Sequence, residues 1–108
     1  VVDDGSHDAT VERIRGLIAG EMSDFAADTS VAEATLAAFR AALMAPEQVE
    51  VRFSGGVMQQ CWSVTRANGP YRVVYMPRAG YFSLCVEGQF GPLDIGVHGT
   101  AIGCFGSV

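Results

Sequence analysis

Pro46-Glu47-Gln48-Val49-Glu50-Val51-Arg52-Phe53 is the stretch at which the chain changes its hydrophobic period. Before it, apolar residues recur every three to four positions. Within it, Val49, Val51 and Phe53 alternate with Gln48, Glu50 and Arg52, the pattern of a strand with one buried face. Pro46 lacks a backbone N–H and turns Ala45 away from helical angles, so a helix reaching this point is expected to stop at Ala45. The proline thus divides a helical first part from a strand-rich second part.

Upstream, Val11, Ile14, Leu17, Ile18, Met22 and Phe25 fall at helical spacing. They predict a first helix from about Asp8, capped by Asp8 or Ser6, behind a flexible tail over residues 1–7. Ser30-Val31-Ala32-Glu33 has the form of a capping box, with Ser30 accepting from the backbone at Glu33 and Glu33 reaching back. It opens a second helix whose Leu36, Phe39 and Leu43 form the apolar stripe.

Downstream, turn signals arrive at hairpin intervals: Ser54-Gly55-Gly56, Asn68-Gly69, Pro77-Arg78-Ala79-Gly80, Gly88-Gln89-Phe90-Gly91-Pro92 and Gly99. Between them strands are expected over residues 48–53, 57–66, 71–76, 81–87 and 93–98, with a last one over 100–108. The fold class is therefore α+β: two N-terminal helices packed on one face of a five- to six-stranded antiparallel meander sheet. Residues 8–108 are expected to form a single domain. The helix-facing side is assigned Val49, Val51, Phe53, Trp62, Val64, Phe82, Leu84, Val86, Leu93, Ile95 and Val97. The other side is assigned Cys61, Ser63, Thr65, Tyr71, Val73, Tyr75, Tyr81, Ser83 and Cys85. A face of tyrosines, thiols and small residues is seldom left bare, so a second copy or the curvature of the sheet around a pocket is expected to cover it.

At 108 residues the chain has room for one ordinary domain, and 49% hydrophobic against 18% charged residues suffices for a core. No apolar run is long enough for a membrane-spanning helix, and no membrane partner is expected. Seven arginines and no lysine face twelve acids, for a formal net charge of −5, which argues against nucleic acid as partner. The acidity belongs to residues 1–47, with nine acids and three arginines, and reads as a solvated helical face. Cys61, Cys85 and Cys104 are odd in number and form no C-x-x-C pair. They are expected to be reduced, buried thiols, which sets the expected localisation as cytoplasmic.

Candidate chemistry is sparse. Asp94-Ile95-Gly96-Val97-His98 is the one local acid–histidine arrangement, but on a regular strand residues four apart stand roughly 13 Å from each other. Only a bend at Gly96 would bring them together. A metal site would need further ligands from Glu87 or Cys104, and no metal or cofactor is expected. No G-x-S-x-G elbow marks a serine nucleophile, and each cysteine sits in an apolar stretch, where thiols are packing residues. The clustered glycines match no phosphate-binding loop. The leading expectation is a self-associating protein-binding or adaptor domain without catalytic activity. It would pair as a homodimer, with another protein as a further partner, through an interface of Tyr71, Tyr75, Tyr81, Arg72 and Arg78. The alternative is a cofactor-free small enzyme or ligand-binding protein with a pocket in a curved sheet, where Asp94, His98 and Glu87 would act as acid or base. Element order of this kind occurs in unrelated groups and carries no function by itself.

Overall fold

The computed structural model describes residues 4–89 and 91–108, with side chains from His7 onward. Helices α1 (Asp4–Asp24) and α2 (Ser30–Ala42) are followed by strands β1 (Leu43–Arg52), β2 (Met58–Thr65), β3 (Tyr71–Met76), β4 (Tyr81–Gly88) and β5 (Gly91–Gly99). A short helix α3 (Ala101–Phe105) ends the chain. No helix among the described residues is long and apolar enough to cross a membrane. The fold is α+β, as expected, with five strands.

Helix α1 begins four residues before the expected start. Residues 4–7, assigned to the tail, are helical, while residues 1–3 lie outside the described residues. Helix α2 is capped by Thr29 rather than Ser30: the Thr29 hydroxyl accepts from the Ala32 N–H at 3.0 Å and its carbonyl accepts from Glu33 at 2.9 Å. The helix also ends at Ala42, not Ala45, so Leu43 belongs to β1 and pairs with Thr65. The end of β2 takes up the helix's last carbonyls, with the Arg66 backbone N–H donating to Ala42 at 2.8 Å and its guanidinium to Ala41 at 3.0 Å. Pro46 falls inside β1, where the β1–β2 register shifts between Leu43 and Glu47. A missing N–H is tolerated at such an irregularity.

Each strand pairs antiparallel with the next. An odd number of strands in a meander leaves the first and last running parallel, and here Arg52 of β1 meets Leu93 of β5 in a parallel pair that closes the sheet into a small barrel. Closure and helices together bury both faces of the middle strands: residues 61–65, 73–76 and 82–85 are all buried. On the outer face Trp62, Tyr75 and Phe82 are successive cross-strand neighbours. With Val64, Val73 and Leu84 they pack against Ile14 and Ile18 of α1, Phe39 of α2, and Ile102 and Phe105 of α3. The inner face is filled by Val51, Cys61, Val74, Met76 and Cys85, with Val49 and Phe53 against them.

These clusters correct the expected faces. Tyr71, Val73 and Tyr75 lie on the helix side, and Val49, Val51 and Phe53 line the interior. Alternation fixes a face only where one side is polar, and Tyr71-Arg72-Val73-Val74-Tyr75-Met76 carries large apolar residues on both.

The expected last strand is also corrected. Ala101, Ile102, Cys104 and Phe105 are buried at helical spacing, and Thr100 caps α3 by accepting from the Gly103 N–H at 3.0 Å. Glu21 completes the cap from α1, its two carboxylate oxygens each accepting at 3.0 Å from the N–H groups of Ala101 and Ile102. A carboxylate at a helix N-terminus satisfies orphan donors and meets the positive end of the dipole.

Candidate functional site

Three polar residues, Ser83, Asp94 and His98, meet on β4 and β5. Leu84 pairs with Val97 but Cys85 with Asp94, so Ile95 and Gly96 form a bulge in β5. Gly96 takes φ 82°, a left-handed conformation that a side chain would strain. The bulge shortens the path between its flanks, and the Asp94 carboxylate and His98 Nε2 approach to 3.1 Å and 3.3 Å. The bend that Gly96 had to supply is present. A carboxylate only accepts, so Nε2 carries the proton it donates to Asp94. Ser83, fully buried, donates its hydroxyl to the same Asp94 Oδ1. The Tyr81 ring covers the imidazole at a centroid distance of 5.3 Å. Ser83 carried no sequence signal as a partner of Asp94, since their pairing depends on the bulge register.

This order of residues decides the chemistry. Serine activation requires a histidine that accepts the hydroxyl proton and a carboxylate behind the histidine. Here the carboxylate stands in the middle, and both Ser83 and His98 donate to it. Asp94 thereby has its charge met in a site where its side chain is only 9% exposed. Compared with known proteins, the chain matches no family model, no curated protein and no solved structure.

Glu87 does not join Asp94 and His98. It accepts from Arg72 Nε at 2.6 Å, and Arg72 Nη1 also donates to Ser63 Oγ at 3.3 Å. Arg72, expected at an interface, is thus paired within its own chain. Of the other expected interface residues, Tyr75 is 2% exposed in the outer core and Tyr71 packs against the same cluster. Tyr81 is exposed on the opposite face, and Arg78 lies in the β3–β4 turn. The three tyrosines do not share a surface.

The thiols are free and buried. Burial first, and then the nearby Asp94 charge, push Cys61 up to about 11 and Cys85 up to about 12. Burial and then Glu21 and Asp94 raise Cys104 to about 11. A thiol protonated at neutral pH is a poor nucleophile and a poor metal ligand. Among the described residues no three His, Cys, Asp or Glu side chains are grouped so as to hold a metal ion.

Proposed function

We propose that the chain is a self-associating protein-binding domain without catalytic activity, working in the cytoplasm. What supports a reading without nucleophilic catalysis is the serine–carboxylate–histidine order and the raised thiols, which leave neither Ser83 nor any of the three cysteines activated. The three unpaired thiols support a reducing compartment.

The observation that carries self-association is a largely apolar cleft between α1 and the start of β1, lined by Ile14, Ile18, Met22, Leu43, Met44 and Pro46, with Arg15 and Ala19 also bordering it. Methionines suit such a surface, because their flexible thioethers adapt to a partner. Leu17, on the same helix but outside the cleft's lining, remains 37% exposed. A two-fold interface needs one surface that complements itself. The cleft and its helix α1 would supply that surface, with the apolar side chains of one copy covering those of the other. With Tyr75 committed to the core, this surface replaces the tyrosine face as the site of pairing.

Sedimentation equilibrium at micromolar concentration tests the reading. The expected mass is about twice the 11.4 kDa of one chain. Ala19→Glu, at an exposed position lining the cleft, should return a folded monomer by placing like charges in a closed interface. A wild-type mass of 11.4 kDa would overturn self-association.

A further inference from the structure

Beside α1, the β3–β4 turn and the helix border an open pocket of about 320 Å³. Thr10 and Arg13 approach it from α1, Arg78 and Gly80 from the turn, and Tyr75 from the sheet. We infer that this pocket binds a phosphate group, held between the Arg13 and Arg78 guanidiniums and the Tyr75 hydroxyl.

Two independent observations carry this. First, Arg13 and Arg78 come from elements 65 residues apart in sequence, and neither forms an ion pair with a described residue. The acid beside Arg13 in sequence, Glu12, is drawn instead to Arg15 at 3.7 Å. In a chain with seven bases and twelve acids, two uncompensated arginines at one pocket are a marked departure from its overall charge. Planar guanidiniums match the oxygens of a phosphate through paired N–H donors.

Second, Tyr75 is 2% exposed, yet its hydroxyl bonds to no described residue. A buried phenol normally finds a partner. No side-chain oxygen of the described residues is both fully enclosed and unpartnered, so this hydroxyl touches open space, which for Tyr75 is the pocket. It stands as a donor fixed in position by the ring contact with Phe82, at a centroid distance of 5.1 Å. A rigid donor lining the same pocket as two cations orders a tetrahedral anion with little entropy loss. The pocket's volume is at the small end for ligand sites, which suits a phosphate or a small phosphate ester rather than a nucleotide.

The site is separate from the Asp94 cluster and from the α1–β1 cleft, so its test does not depend on self-association. Inorganic phosphate and O-phosphoserine are titrated into the protein at constant ionic strength, with side-chain NMR signals of arginine and tyrosine followed. Saturable shifts of Arg13, Arg78 and Tyr75 are expected. Tyr75→Phe keeps the ring in the core, and should weaken binding about tenfold while leaving the circular dichroism unchanged. Arg13→Gln combined with Arg78→Gln, both at exposed positions, should abolish it. Tighter binding of phosphoserine would assign the site to phosphate esters, and equal binding to free phosphate. No saturation with either probe, or unchanged affinity in the double glutamine variant, would overturn the inference.

Discussion

The two faces of β2, β3 and β4 are both buried, yet they are built from different residues. The outer face carries Trp62, Tyr75 and Phe82, and takes Phe39 and Phe105 from the helices, whose rings meet edge to face at a centroid distance of 5.6 Å. The inner face carries Cys61, Ser63, Val74, Ser83 and Cys85. Inside the small barrel aliphatic and sulfur side chains predominate, with Phe53 half-buried against them, whereas helices lying across a sheet leave gaps that rings fill. The hydroxyls follow the same logic. In a space without water each needs a partner, and Ser83 finds the Asp94 carboxylate while Ser63 donates to the Thr65 carbonyl at 3.1 Å.

The comparison breaks most readily on the outer face. Phe39 is fully buried between α3 and the sheet, and Phe39→Ala should cost about 3–5 kcal/mol in denaturant titration. A loss below about 1 kcal/mol would mean that the helices do not seal that face. The inner face should fail in the opposite direction, by overfilling. Cys85→Leu adds volume where Val51, Cys61 and Val74 already meet, and should cost about 1–3 kcal/mol. A neutral or stabilising result would reveal spare room, as expected of a ligand pocket within the curved sheet.

The same comparison explains what the residues alone disclosed. The order of elements was legible, because the period change after Pro46 and the Gly-containing turns are local signals. The assignment of β3 to its faces was not, because Val73 and Val74 satisfy either side once both are buried. Helix α3 is only five residues long, and the spacing of its buried Ala101, Ile102, Cys104 and Phe105 is too short a run to set a helical period apart from a strand. Its cap by Glu21 spans 80 residues and has no local signature. At the candidate site, Asp94 and His98 were recognisable as a pair conditional on Gly96. Ser83 and the Arg13–Tyr75–Arg78 pocket depend on strand register and helix placement, which sequence spacing does not encode.

The central claim is that the second sheet face is closed by the sheet itself, with its chemical groups shut inside. Native-state thiol labelling across pH tests it most directly. Cys61 and Cys85, raised from an ordinary 9.0 to about 11 and about 12, hold their protons in the folded state after the unfolded chain has released its own. Their burial therefore contributes stability that is fully present below pH 9 and is lost as pH rises through the folded values. The account predicts that all three thiols label only at the rate of unfolding at neutral pH, and that labelling accelerates above pH 9 as that stability is lost. Rapid labelling of Cys61 or Cys85 in the native protein at neutral pH would contradict it, showing an open inner face with a reactive thiol.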